Sequence, residues 1–221
     1  MTKYSANCSM CRVYRCKNNE KDNLPKFCPM KYESVQEEAS SLMEKHRDFY
    51  VKSSIIEKKG YEEWPRAREI VELIKDMGYK KVGLAFCSGL IREAILFSEI
   101  LQEHGIDLIS VMCKVGGVDK SVSGIPEEFK FKPGEFEAQC NPIAQALVLN
   151  KEETEFNIIL GLCVGHDSLF MKYSEALCTT LITKDRATGH NPAVALYLKD
   201  SYMASRLGLN KKTSVQGETS L

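Results

Sequence analysis

Apolar positions along this chain fall into three regimes. From Cys8 to Met30 they follow no period, and Cys, Asn, Lys and Pro dominate. Such a segment has no apolar face to bury and needs another source of folding energy. From Ser34 to Lys58, and again from Ala67 to Met77 after Pro65, apolar residues recur at helical spacing amid charge, which predicts two amphipathic helices. Gly78 supplies a helix stop. Thereafter the pattern alternates: strand 81–86, helix 89–103, strand 107–113, a Gly/Pro-rich loop 115–139, helix 141–150, strand 156–163, a short helix near 168–175, strand 178–183 and helix 192–206. The strand segments VGLAF, LISVM, IILGL and TTLIT are nearly continuous apolar runs, the pattern of strands buried on both faces. Alternation of this kind predicts an α/β fold, a Rossmann-like three-layer sandwich with a mostly parallel sheet. The expected organisation is a cysteine-rich metal-binding knuckle at 1–32, a helical segment packed on the core at 33–77, the Rossmann-like domain at 78–207, and a polar, aperiodic, disordered tail at 208–221.

Composition narrows the function classes. The 30 basic and 30 acidic residues cancel, so no positive field is available to hold a phosphate backbone, and nucleic acid is not an expected partner. The N-terminal MTKYSANCSMCRVYRC lacks the apolar core of a signal peptide. No stretch reaches the ~18 apolar residues of a membrane span, so a cytoplasmic location is expected. Nine cysteines, an odd number with no export signal, point to metal ligation or thiol chemistry rather than to a disulfide framework.

Four of them, Cys8, Cys11, Cys16 and Cys28, form a C-x2-C-x4-C-x11-C pattern in the segment that has no core. Four thiolates can enclose one metal and so supply the missing folding energy, which is the expectation for a structural site. Zinc and iron–sulfur clusters both accept such a set, and the spacing matches neither a ferredoxin run nor a symmetrical zinc ribbon.

A second group stands at element ends. Cys87 follows the strand VGLAF, Cys113 ends DLISVM, Cys163 ends NIILGL, and Cys140 precedes Asn141-Pro142 at a helix start. In a parallel sheet these ends share one edge, where open α/β folds bind their ligands, so the four thiols are expected to meet in one crevice. Positions before helix N-termini also favour the thiolate. Polar residues follow the same strands. His166 and Asp167 come after Cys163, and Lys184, Asp185, Arg186 and His190 come after the strand 178–183. His166 and Lys184 are candidates for proton handling, and Asp167, Asp185, Arg186 and His190 for contacts to a bound group. Cys178 starts its strand and reads as structural. Neither nucleotide-binding glycine fingerprint is present, and Cys87 to Arg92 is one residue short of a cysteine-phosphatase loop.

The N-terminal cluster, CNPIAQALVLN (140–150), GLCVGHDSLF (161–170) and DRATGHNPAVALY (185–197) together resemble a family of predicted metal-binding proteins of unknown function from anaerobic bacteria and archaea. The resemblance covers nearly the whole chain and implies metal binding through the cysteines, with no catalytic assignment. An anaerobic setting would suit an oxygen-sensitive cluster at the second site.

The expectation is therefore a metal-binding protein. It has a structural site at Cys8, Cys11, Cys16 and Cys28, holding zinc or an iron–sulfur cluster. It has a second centre at Cys87, Cys113, Cys140 and Cys163, holding an iron–sulfur cluster or other metal that acts on a small-molecule substrate. The alternatives are a non-catalytic metal or redox carrier or sensor, and a metal-free thiol redox protein.

Overall fold

A computed structural model of the chain describes residues 6–209, so the expected tail lies, from residue 210 on, outside the described residues. Two compact units meet in sequence between Tyr61 and Glu62. In the first, short 3-10 turns at Cys8–Met10, Arg15–Asn18 and Pro29–Lys31 precede helices α1 (Glu33–Lys45) and α2 (Arg47–Gly60). The single helix expected across 34–58 is thus two, separated at His46 (φ −108°, ψ 22°), although hydrogen bonds from the His46 amide to Leu42 and from the Tyr50 amide to His46 run through the junction. None of residues 6–32 is buried.

The second unit opens with α3 (Arg66–Met77), whose apolar stripe Ile70, Val71 and Ile74 is buried and whose end is Gly78 in the left-handed region (φ 73°). Strand β1 (Val82–Phe86), α4 (Ile91–Glu103), β2 (Leu108–Met112), α5 (Pro142–Lys151), β3 (Phe156–Leu160), α6 (His166–Tyr173) and β4 (Leu177–Ile182) follow. All strand pairs are parallel, in the order β2-β1-β3-β4. The chain moves outward from β1 to β2, returns across β1 to β3, and continues to β4. With right-handed crossovers this puts α4 on one face and α5 and α6 on the other, and α5 packs on α6, β1 and β2. Arg66 at the start of α3 donates to Thr180 O and Thr179 Oγ1 of β4, and Lys75 near its end meets His104 after α4. The result is a Rossmann-like three-layer sandwich. Among the described residues no helix is long and apolar enough to cross a membrane.

The strand order runs one way from β1 to β2 and the other way from β1 to β3 and β4, so the switch point of the sheet lies beside the ends of the two fully buried strands β1 and β3. The one polar residue of β3, Asn157, is fully buried opposite Gly83 and is satisfied by Thr154 Oγ1 (2.8 Å) and Ser174 Oγ (2.8 Å). Gly83 has no side chain because that amide occupies its place: a Cβ there would fall on Asn157 Oδ1 and lie 2.9 Å from Leu149 Cδ1.

The helix expected at 192–206 is instead α7 (Ala193–Tyr197) and α8 (Met203–Arg206). Leu196, Tyr197 and Tyr202 are exposed, so no apolar face holds a continuous helix, and such short segments are not stable without packing.

Between β2 and α5, the long loop is organised by polar contacts centred on Asp119 and Lys130. Asp119 bridges to Ala138, accepts from Ser121 N (2.8 Å), Ser121 Oγ (2.6 Å) and Glu137 N (2.7 Å), and pairs with the buried Lys130 (3.0 Å), which also meets Glu127 (2.7 Å). The Ser121 hydroxyl and amide, then the Glu137 amide and Lys130, hold the Asp119 carboxyl well below the usual carboxylate range.

Two outcomes follow from this packing. Gly83→Ala should destabilise the second unit by about 1–3 kcal/mol, the usual cost of overpacking, read as a lower urea midpoint at unchanged slope; an unaltered midpoint would contradict the close approach of Asn157. Carboxyls with lowered pKa values contribute stability above their unfolded pKa and lose it as pH falls. The 118–139 loop should therefore become protease-sensitive below about pH 4, and Asp119→Asn should produce the same sensitivity at neutral pH.

Candidate functional site

The hydrogen-bonded ladder of the sheet runs on beyond the strand ends. Cys87 N donates to Leu160 O (3.1 Å), Cys113 N to Phe86 O (2.9 Å), and Asn141 N to Cys113 O (2.7 Å). These backbone bonds set Cys87 beside Cys113 and bring Cys140 alongside. Their thiols form a row, Cys113 in the middle, within hydrogen-bonding reach of both neighbours, and Cys163 interacts electrostatically with Cys140. Cys87 and Cys113 are buried, whereas Cys140 and Cys163 are partly exposed.

Donors converge on these sulfurs. Ser88 N donates to Cys113 Sγ (3.3 Å), Gly89 N to Cys87 Sγ (3.5 Å), and the Lys184 ammonium to Cys87 Sγ. Leu90, just before α4, is buried against Gly161 after β3, where a Cβ would approach Leu90 Cδ2 to 2.6 Å; this keeps the Cys87 turn close to the end of β3. At the other flank Asn141, not Cys140, caps α5 by accepting from Ala144 N (3.0 Å), with Pro142 at the first turn, which leaves the Cys140 thiol free for the row.

Charge in the row is unequally shared. The hydrogen bond from Cys113 lowers the Cys140 pKa to about 6 against the opposing effect of burial, with Lys114 assisting. Cys87 is pushed up to about 12, first by Cys113 and then by burial, and the Lys184 and Gly89 contacts only partly offset this. Cys178, at the start of β4, bonds to Ala176 O and is raised by burial, as suits a structural thiol.

Of the polar candidates, Lys184 reaches the row. His166 and Asp167 begin α6 three and four residues beyond Cys163, and their amides cap the turn by donating to Cys163 O (2.9 and 3.3 Å). Asp185 and His190 brace each other: Asp185 N donates to His190 Nδ1 (3.1 Å) and His190 N to Asp185 O (2.7 Å), closing the loop that begins at Lys184. Arg186 makes no side-chain hydrogen bond or ion pair that ties it to this loop or to the row.

Three contributors escape a reading of motifs. Ser88 supplies an amide to Cys113; its only sequence signal is adjacency to Cys87. Lys114 donates to Ala138 O (2.5 Å) and biases Cys140. Gln145, fully buried, donates through Nε2 to Phe86 O (3.1 Å) and Val111 O (2.7 Å), clamping β1 and β2 just below their cysteines, while its Oε1 is without a hydrogen-bond partner. A glutamine four residues inside the apolar helix PIAQALVL is the visible clue.

In the first unit Cys8, Cys11, Cys16 and Cys28 line one cavity of about 160 Å³ together with Val13, Tyr14, Leu24 and Phe27. Amides of Tyr14, Val13 and Arg12 donate to Cys11 Sγ and lower its pKa. Among the described residues no three His, Cys, Asp or Glu side chains stand close enough together to hold a metal ion. The four knuckle cysteines thus line a shared space, and the sheet-edge thiols stand side by side.

A family model described as "Protein of unknown function (DUF1847)" matches residues 28–181, a span that contains all four sheet-edge cysteines and starts at the last cysteine of the knuckle. The chain is also 51% identical over 150 residues, 66% of its length and 74% of the relative's, to an uncharacterized protein of Methanocaldococcus jannaschii.

Among the sheet-edge cysteines, alkylation of the metal-free protein should mark Cys140 first, at a rate that rises through pH about 6 as its thiol ionises. Cys113→Ala removes the donor and should move that midpoint upward; a midpoint near that of an ordinary thiol in the unmodified chain would contradict the geometry.

Proposed function

The chain belongs to that family, and from this premise we propose that it is a thiolate metalloprotein with two centres. The working centre is the sheet edge, where Cys87, Cys113, Cys140 and Cys163 bind a thiophilic metal ion or an iron–sulfur cluster. The knuckle cysteines Cys8, Cys11, Cys16 and Cys28 hold a second metal group in a structural role. One observation carries the reading: thiols from three separate elements stand in a row at the switch point, with two amides and an ammonium directed at their sulfurs. Cysteines that serve only as small apolar residues have no need of such donors. Thiolates do, because burying negative sulfur costs free energy unless it is hydrogen-bonded.

The donor chemistry suits soft metals, which prefer thiolate to carboxylate. Lys184 would offset the negative charge of several thiolates around one centre. A bound metal with three sulfur ligands supplies a Lewis-acidic open position for a small molecule. Cys140 and Cys163, on the exposed side, border the approach. His166 at the start of α6 and Lys184 are the groups available to move protons there, while the Asp185–His190 brace positions Lys184. Contact between Cys113 and Cys140 also favours a second reading, thiol–disulfide exchange between these two residues.

Metal content decides between them. In the full chain purified without oxygen, replacing Cys87, Cys113 and Cys140 together by Ser should remove the sheet-edge metal and leave the knuckle's share, with far-UV circular dichroism unchanged. Unaltered metal content in that variant would refute the sheet-edge centre. A Cys113–Cys140 disulfide found by peptide mapping in metal-free, air-exposed protein, with disulfide reductase activity, would establish the exchange reading instead.

A further inference from the structure

Resting on the reading that the knuckle binds metal, we infer that its cofactor is a [4Fe–4S] cluster and not a single zinc ion, because its four cysteines all line one cavity of about 160 Å³. Size decides the matter. Four sulfurs bound to one zinc at ~2.3 Å stand about 3.8 Å apart at tetrahedral corners and leave no space between them. A water molecule needs roughly 10–15 Å³ of such volume, so this cavity admits on the order of ten water-sized groups. That is the scale of the eight inorganic atoms of a four-iron cube, and twice what the four atoms of a two-iron rhomb require.

The cavity wall supports the same conclusion. Besides the sulfurs it is made by Val13, Tyr14, Leu24, Pro25, Phe27, Pro29 and Met30, with Arg15 the one charged residue. None of residues 6–32 is buried, so the knuckle has no other interior. A cluster both fills the space and ties the chain by four covalent contacts, supplying the folding energy that the sequence lacks. Backbone conformation is arranged around it. Tyr14, Asn19 and Asn23 all adopt positive φ (48°, 54° and 51°), unusual for a residue as bulky as tyrosine. Cys8 and Cys16 are exposed, so one side of the cluster would be open to solvent and labile to oxygen.

The test uses the full chain with Cys87, Cys113, Cys140 and Cys163 changed to Ser, so that the knuckle alone binds, reconstituted without oxygen with ferrous iron and sulfide, and in parallel with zinc. About four iron and four sulfide per chain, with visible absorption that bleaches on reduction, are expected, and Cys11→Ser should abolish them. Leu24→Trp provides the second arm: by filling the cavity it should reduce cluster occupancy several-fold while leaving zinc uptake unchanged, a distinction that loss of folding would not produce. One zinc per chain in place of iron, iron without sulfide, or full cluster loading in Leu24→Trp would each overturn the inference while leaving metal binding by the knuckle intact. Failure to retain either metal would overturn both.

Discussion

The arrangement at the sheet edge depends on the backbone ladder continuing one residue past β1 and β2. Because Cys87 N and Cys113 N are still engaged with Leu160 O and Phe86 O, both thiols are positioned with the rigidity of the sheet rather than of a loop. Gln145 strengthens that constraint from α5 by binding the carbonyls of Phe86 and Val111, the residues one and two places before the cysteines. A buried amide that makes two such bonds is costly to misplace, so it defines the spacing of the strand ends as well as filling space. Everything else at the site is added to this frame.

Electrostatics follows from the frame. Cys113 is the least accessible of the three and interacts with both of the others. Positive groups reach the row from two different loops, Lys184 from beyond β4 and Lys114 from beyond β2, each anchored by its own contacts. The long 114–139 loop is held by the Asp119, Lys130, Glu127 and Glu137 network, which stiffens the connection that delivers both Lys114 and Cys140. The first unit differs: residues 6–32 have sulfurs and apolar side chains around a shared cavity but no buried residue.

Much of the fold was legible because alternating apolar periods are imposed by burial, which acts locally along each element. VGLAF and the residues from Phe156 to Leu160 are continuous apolar runs, with Asn157 the exception, and both strands are buried along their whole length. The helix expected at 192–206 is two short segments, because spaced apolar residues such as Leu196 and Tyr197 satisfy a helical pattern whether or not a face exists to receive them. The apolar pattern carries no information about that face. Nor does it show that Asn141 takes the capping role and leaves Cys140 free.

Sequence alone determined the alternation of strands and helices, the lack of a core before Met30, and the placing of cysteines at the ends of strands, since these depend on residue type and short-range period. Only the tertiary structure decided that β1 lies between β2 and β3, which strand ends become neighbours, and that a lysine 97 residues from Cys87 touches its sulfur. Strand order is set by the hand of the crossovers and by which faces pack, and these are properties of the whole assembled sheet rather than of any segment.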